Sequence, residues 1–557
     1  MAIHDDAFFV PARHDLSGPS IAQIFAEDMW SSTGSPAGVY RPLVVLSIAA
    51  NGALSGRNPV GYHVTNVLLH ALASLVVFLL LAGLLARGAP ELGERGVAIA
   101  ALAAAIFAVH PVHAEAVNSV YNRSEILSCI FVGSGLLLLL RWHERHTVAA
   151  WIAVAACYFV ALLCRESAVS LPLLAMLMLW FLHGAEAPRQ RLLRVAPALL
   201  LAVPLAEYFV LRGFAMSQTV QTTAPALGVD AGQDFVSRLL YSIAALREYA
   251  RMMVWPHPLR VSYENFRGDG LATALAVHAL LLASAFALRR RAPLVSWAIA
   301  FFYVALIPST RLFTSSGATL SIGGFVLLKP QGGLVLVGER VAYLPSVAFA
   351  VAVAFALAAG LRRFGWAAVA TVAAVVVLAG GLVTYDRNRA WASAVELFSR
   401  EVAATPDNGD AWRLYVSALS GAGRYEDAAR ACDGQLEQQG RSAQLFNNCG
   451  IVYDRLGRDA AAIRSYQRTI ELGLAAVGHA NLGRAYARAG RMAEAEAEFV
   501  AAAEAETNPA QKHYRVGSML LRFHPDRSAE ARREFEAALT LRPDYAAARQ
   551  ALDSLPR

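Results

Sequence analysis

Residues Val64–Ala86, VTNVLLHALASLVVFLLLAGLLA, contain no Asp, Glu, Lys or Arg. As a helix rising about 1.5 Å per residue, the stretch is roughly 34 Å long, enough to cross the hydrocarbon core of a bilayer. Outward from it, apolar runs alternate with short polar loops. About ten crossings are predicted, near 64–86, 96–112, 124–141, 148–164, 167–183, 195–212, 271–288, 292–308, 343–361 and 366–384. Several sit at the short end of the roughly 17–25 residues a spanning helix needs. Composition agrees: of 557 residues, 56% are hydrophobic and only 16% charged, with mean hydropathy +0.43. Charge this scarce over such a length points to a polytopic membrane protein.

The net charge is +7 and the pI about 9.2. In a soluble protein that balance would suggest nucleic acid. Here the arginines cluster in loops, so they read as topology and no nucleic-acid partner is predicted. The segments ARGAPELGERG, RWHERH, EAPRQRLLR, RRR at 289–291 and RR at 362–363 fall on alternate turns. All five therefore face one side, which the positive-inside rule makes cytoplasmic. The N-terminal segment, residues 107–125, 164–167, 213–270 and 309–342, and everything after about 385 face the other side. The first fifteen residues carry charge and no apolar core, so no cleavable signal peptide is predicted. Five cysteines show no CxxC pair and no metal-ligand spacing; pairing of Cys432 with Cys449 is left open.

The tail is of another kind. Gly423, Gly457 and Gly490 recur about 34 residues apart, each followed by Arg. Around them lie AWRLYVSALSGAGRYEDAA, NNCGIVYDRLGRDAAAIRSY and ANLGRAYARAGRMAEAEAEF, each a helical-hairpin pattern. The period is that of the tetratricopeptide repeat (TPR). Gly450 and Gly483 stand where the first helix of a pair packs closest, and Ala428, Ala462 and Ala495 on the second helix. A fourth copy spans 514–544 with a slightly longer turn, and VELFSREVAATPDN resembles half of a preceding one. Such units stack into a superhelix with a concave binding face, which suits a protein or peptide partner as a class.

Sorting by side gathers the polar residues of the membrane half. Asp5 and Asp6 precede GPSIAQIFAEDMW, where Ile21, Ile24, Phe25 and Met29 form one stripe and Ser20 is an N-cap candidate. A short amphipathic helix lying in the membrane interface is expected there. Tyr40 and Arg41 follow, then His110, His113, Glu115, Asn122, Arg123 and Glu125. Arg165 and Glu166 come next, then Trp255, His257, Arg260 and Tyr263, and last Glu339, Arg340 and Tyr343. Each has a plainer reading. Charged residues near a terminus are usually solvated tail. Arg165 and Glu166 could simply pair with each other. His110 and His113 with Glu115 are a weak zinc signal, so a divalent metal stays open. The sequon at 122–124 reads as accidental in a membrane-hugging loop. WPHP restricts its backbone whatever the side chains do. Together, however, ionisable groups at membrane depth are costly and mark a substrate path.

Carboxylates, histidines and arginines above hydrocarbon suit an anionic head group on a lipid chain. Arginine forks bind phosphate. A carboxylate acting as general base on an acceptor hydroxyl contributes about 10²–10⁴-fold. A lipid phosphate leaving group would have its growing charge offset by Arg or His. That is sugar transfer from a polyprenyl-phosphate donor, the lipid-linked sugar serving as co-substrate.

In order along the chain, DDAFF, YRPLVVLS, NPVGYHVTNVLLHALASL, FAVHPVHAEAVNSVYNRSEIL, LLCRESAVSLPLL, VWPHPLRVSYE and ERVAYLPSVAF resemble the transmembrane-and-TPR protein O-mannosyltransferases of the GT-C glycosyltransferase superfamily. The resemblance implies an all-α fold, a polytopic GT-C-like helical bundle followed by a TPR solenoid. Its parts would be a first outer loop (1–63), a membrane domain (64–385) and about four repeats (386–557). It places the catalytic acids on Asp5 and Asp6, with Asp6 favoured as base. Tyr40, Arg41, His110, His113, Glu115, Arg123, Arg165, Glu166, His257 and Arg340 would serve the donor and cavity. It implies an inverting enzyme that moves a hexose such as mannose onto protein Ser or Thr. In a bacterial inner membrane, which the Ala- and Arg-rich composition suggests, a shorter polyprenyl carrier is expected. The family places a span before the acidic pair, and only four residues precede Asp5 here, so an upstream start is expected. Two other readings stand beside this one: a catalytically silent membrane scaffold, and a transferase acting on lipid or polysaccharide.

Overall fold

A computed structural model describes residues 20–29, 38–56, 58–184, 186–218, 235–261, 263, 270–310, 320–322, 325–328, 337–435, 442–543 and 545–555. Asp5 and Asp6 lie outside the described residues. The chain divides into two compact units and passes from the first to the second between Trp391 and Ala392.

In the first unit the helices are α1 (Ile21–Ala26), α2 (Pro42–Ser55), α3 (Pro59–Gly88), α4 (Glu94–Ala108), α5 (Ala114–Asn118), α6 (Arg123–Arg145) and α7 (Val148–Cys164). They continue with α8 (Leu171–Leu182), α9 (Pro188–Val195), α10 (Ala202–Gln218), α11 (Phe235–Val254), α12 (Leu271–Leu288), α13 (Pro293–Leu306) and α14 (Ser346–Ala390). Helix occupies all ten predicted segments. By length and composition α3, α6, the run Pro188–Met216, α12 and α14 can each cross a membrane. The bent pair of α4 with Pro111–Asn118 passes the same test only when counted as one span, and Pro42–Ser55, α7, Glu166–Leu182 and Pro293–Ser309 are shorter apolar helices. This unit is that of a multi-pass membrane protein.

The departures have local causes. The 45 residues of α14 cover two predicted segments, and the backbone leaves helical geometry at Gly365 (φ 79°), just after Arg362 and Arg363. Its second half exposes Val372, Val375, Val376, Leu378 and Leu382, a surface that lipid can cover without cost. The chain bends by 50° between α4 and Pro111–Asn118, because Pro111 lacks an N–H and its ring blocks continued helix. The Val109 carbonyl left over at that bend accepts from Thr384 Oγ1 at 2.7 Å. Helix α2 was not among the predicted crossings; it is apolar but only 14 residues long. Helix α1 does carry the Ser20 cap, which closes a capping box with Gln23. The apolar stripe divides: Ile24 and Met29 are buried with Val39, Val44 and Ile48, Phe25 is partly buried against them, and Ile21 is exposed. Among the described residues one antiparallel hairpin, Leu320–Ile322 with Phe325–Leu328, interrupts an otherwise all-α fold.

The second unit is a run of helical hairpins: α15 (Ala394–Ala404), α16 (Gly409–Gly421), α17 (Tyr425–Gln435), α18 (Ala443–Arg455), α19 (Asp459–Glu471), α20 (Ala475–Arg488), α21 (Met492–Glu504), α22 (Pro509–Phe523), α23 (Ser528–Leu541) and α24 (Ala546–Asp553). Gly423, Gly457 and Gly490 close the first helix of successive pairs with φ of 73°, 68° and 74°, a conformation glycine enters freely. A Cβ at Gly450 would lie 2.4 Å from Tyr466, so the paired helices need hydrogen there. Ala428, Ala462 and Ala495 are fully buried at the matching contacts. In the fourth pair the longer turn is a 3₁₀ segment, Pro525–Arg527. Cys432 and Cys449, on α17 and α18, form a disulfide with Cα atoms 5.8 Å apart.

Candidate active site

The polar segments picked out in the membrane half converge at one end of the helix bundle. Helices α3, α6 and α14 begin there, and α4, α7 and α11 end there. Four arginine–carboxylate pairs hold these ends together. Arg41, capping α2, donates through Nε to Glu166 at 2.9 Å. Arg165 Nη2 lies 2.8 Å from Glu125, and its Nη1 donates to Ser124 Oγ at 3.1 Å. Glu115 receives both the Arg340 guanidinium and, at 2.9 Å, the Arg340 backbone N–H. Arg387 on α14 reaches Glu339 at 2.6 Å. Arg165 and Glu166 therefore do not pair with each other; each binds a residue of another element. Arg41 and Arg340 both lie within Coulomb reach of Tyr121 and Glu125, so the first three pairs form one electrostatic network. The Glu115 carboxylate holds the Arg340 pKa above its ordinary value despite burial. For Arg41 burial is the largest influence and works against the charge, but Glu166, Tyr121 and Glu125 together outweigh it and hold its pKa above the ordinary value.

A second group surrounds His113. Its Nε2 is 2.9 Å from Ser346 Oγ, which itself donates to the Tyr343 carbonyl at 2.6 Å. His113 must then be the donor to Ser346, which leaves Nδ1 as a bare acceptor, buried and without a partner. His70 lies 5.2 Å away, ring to ring, held between the Tyr343 hydroxyl at 2.5 Å and the Ala108 carbonyl at 2.9 Å. His110 Nε2 donates to the Met253 carbonyl at 3.1 Å, and its Nδ1 accepts from the Val112 N–H. His110 has both ring nitrogens engaged and Glu115 is held by Arg340, so of the HxxH segment and Glu115 only His113 Nδ1 is left without a partner. Among the described residues no three His, Cys, Asp or Glu side chains are placed to hold one.

Three of the expected binding residues have other occupations. Arg123 is fully buried and donates to Asn66 Oδ1 (2.7 Å), the Ser47 carbonyl (3.1 Å) and the Tyr62 carbonyl (3.2 Å), which pins α6 to α2 and α3. Its sequon is sealed with it, for Asn122 and Ser124 are buried too. His257 is exposed. Its carbonyl and those of Trp255 and Pro258 are collected by Arg251, so WPHP is a braced turn. Tyr40 is buried, and its hydroxyl donates to the Phe25 carbonyl at 2.9 Å.

The structure adds residues that the sequence reading passed over. Tyr208 and Arg212 stand four apart on α10, hence on one face, and both are buried. Tyr208 lies 5.9 Å from Tyr40, ring to ring, within Coulomb reach of Glu166, Arg212 and Arg41. Asp28 is fully buried and accepts from the Val39 N–H, two residues before Arg41. An arginine near the end of an apolar run was the available signal for α10. Several buried polar atoms at this end have no hydrogen-bond partner; beside His113 Nδ1, Asn122 Oδ1, Glu125 Oε1 and Arg387 Nε, they include Arg41 Nη1, Glu166 Oε1, the Tyr208 hydroxyl and Arg212 Nε, which gather around one arginine–carboxylate pair. Buried donors are normally satisfied, so three donors and one acceptor here stand ready for a charged, hydrogen-bonding guest.

The chain also has counterparts among known proteins. Human protein O-mannosyl-transferase TMTC3 is 26% identical over 512 residues, covering 83% of this chain and 52% of the human one. Drosophila melanogaster protein O-mannosyl-transferase Tmtc1 is 34% identical over 180 residues, 31% of this chain and 19% of its own. The chain is a relative of the TMTC protein O-mannosyl-transferases. It spans about half the length of TMTC3 and TMTC1 from human. No protein-family profile matches it. Among solved structures, the TPR protein TTC0263 of Thermus thermophilus is 19% identical, covers 32% of this chain and 93% of its own, and superposes with a TM-score of 0.26.

Proposed function

We propose that this protein is a membrane glycosyltransferase of GT-C type that moves a hexose, mannose by its relatives' names, from a polyprenyl-phosphate carrier to a Ser or Thr hydroxyl of a protein. Four unpartnered polar atoms within a buried arginine–carboxylate network carry the reading. A lipid phosphodiester entering between the helices would accept from Arg41 Nη1, Arg212 Nε and Tyr208. These donors offset the negative charge that grows on the leaving phosphate as the sugar bond breaks. Glu166, already balanced by Arg41, keeps the guanidinium oriented. Asp6, in the segment preceding α1, takes the proton from the acceptor hydroxyl as its oxygen attacks the anomeric carbon, and a single displacement inverts that centre. The TPR unit holds the acceptor polypeptide.

Both ends of the chain are proposed to lie on the extracytoplasmic side of a bacterial inner membrane. Five arginine-bearing loops on alternate turns support that orientation. So does the Cys432–Cys449 disulfide in the repeats, a bond that persists in oxidising compartments. The test is transfer of labelled mannose from polyprenyl-phosphate mannose to a Ser/Thr peptide by the purified full chain. The wild type should transfer with inverted configuration at the anomeric carbon. Peptide binding without any transfer would favour the scaffold, and transfer to lipid or polysaccharide alone would move the acceptor.

A further inference from the structure

A second polar site lies at the other end of the bundle. Helix α6 has 23 residues, so about 30 Å separates Arg123, at its first turn, from His143 at its last. There, with the ends of α8 and α9, it borders a half-open pocket of about 160 Å³ lined by Trp142, His143, His146, His183, Leu193, Arg194 and Pro197. His143 and His183 stand nearly perpendicular with ring centroids 4.5 Å apart, and His146 lies 6.0 Å from His143. His183 is only 6% exposed. Its Nδ1 sits 2.7 Å from the Leu179 carbonyl and must donate to it, which leaves Nε2 as the free nitrogen. That Nε2 and His143 Nδ1 are both buried and unpartnered.

We infer that this cavity binds a small phosphate-bearing polar group, distinct from the sugar donor. Arg194 is half exposed, and its Nε forms a long ion pair with Glu186 at 3.7 Å, a separation beyond hydrogen-bond range that leaves the rest of the fork unbonded. Its guanidinium is thus available for the forked grip on phosphate. The two imidazole nitrogens accept from a hydroxyl of the same ligand, or take a proton and donate to its phosphate. An apolar guest would leave both nitrogens unsatisfied. A metal ion lacks a third ligand, since no trio is placed for one among the described residues. A nucleotide is too large for a cavity well below the roughly 300 Å³ at which sites for drug-sized ligands begin.

The setting favours a lipid head group as the source. Helix α9, PRQRLLRV, exposes Leu192 and Leu193 at 63% and 69% beside its arginines and forms the first two turns of the candidate span Pro188–Met216. That is the pattern of a helix resting at head-group depth. Arg191 lies over the Trp180 ring at 5.3 Å, a further anchor at this level.

The purified, delipidated full chain should be titrated with phosphatidylglycerol, phosphatidylcholine and inorganic phosphate, with native mass spectrometry and the melting temperature as readouts. Phosphatidylglycerol, which joins phosphate to hydroxyls, should bind more tightly than phosphatidylcholine. Arg194→Gln should weaken it about tenfold, as expected for a lost charged hydrogen bond, and His183→Phe comparably. Arg290→Gln, an exposed arginine of another loop, should change nothing. Binding of inorganic phosphate with no preference among lipids would uphold the phosphate site and assign it a soluble ligand. No binding of any probe, or equal loss in Arg290→Gln and Arg194→Gln, would overturn the site. Because mannose transfer is not the readout, failure here is separable from failure of the proposed function.

Discussion

The two units use the same ion-pair chemistry in opposite ways. In the repeats, pairs such as Arg400 with Glu396 and Arg458 with Glu426 lie on the surface, with side chains 38–62% exposed. In the membrane unit, hydrogen-bonded pairs join residues 125, 225 and 48 positions apart, and most of their side chains are at least four-fifths buried. Surface pairs contribute about 0–1 kcal/mol each and mostly keep a helix soluble. Buried pairs are costly to assemble and costlier to break. The contrast separates decoration from machinery: a solenoid works by the shape of its concave face, whereas the bundle has placed charge where charge is hardest to keep.

The largest expected effect lies at the acid. Asp6→Asn should lower mannose transfer by about 10²–10⁴-fold, the usual contribution of a general base, while peptide binding by the full chain stays unchanged. Next is the buried network: Glu125→Gln leaves Arg165 without its counter-charge and should destabilise the protein by about 3–5 kcal/mol, read as a fall in the melting temperature of the detergent-solubilised chain. A fall no larger than that of a surface variant would erase the distinction between the two regions. In the repeats the disulfide bridges residues 17 apart, so Cys432→Ala should cost about 3 kcal/mol in that unit. Alkylation of intact membranes should leave Cys432 and Cys449 unlabelled until a reductant is added. The smallest effect belongs to the surface: Arg458→Ala should change stability by less than about 1 kcal/mol and leave transfer at its wild-type rate.

These regions also differed in how far they could be read in advance. The repeats were legible almost completely, because each hairpin is local: a glycine at the turn and small residues at the contact recur at one period. The ten apolar segments were legible for a similar reason. The partners of the charged residues were not. Arg165 and Glu166, adjacent in the chain, look like a pair until α7 ends and turns each toward a different helix. Arg123 looks like a phosphate ligand until α2 and α3 supply it with Ser47, Tyr62 and Asn66. Tyr208 and Arg212 were hidden inside what read as one more crossing. Which carboxylate answers which arginine depends on helix packing across long separations, and neither spacing nor hydropathy records it.

The central claim is that the unpartnered atoms at the catalytic end await a lipid phosphate, and Tyr208→Phe tests it most directly. The variant removes one buried, unsatisfied hydroxyl and changes nothing else in shape. With the full chain in nanodiscs, KM for polyprenyl-phosphate mannose should rise about tenfold, as for a lost hydrogen bond to a charged group, while the melting temperature holds or rises. An unchanged KM with a raised melting temperature would mean that the hydroxyl is only an unsatisfied group in a packed interior, and that the donor binds elsewhere.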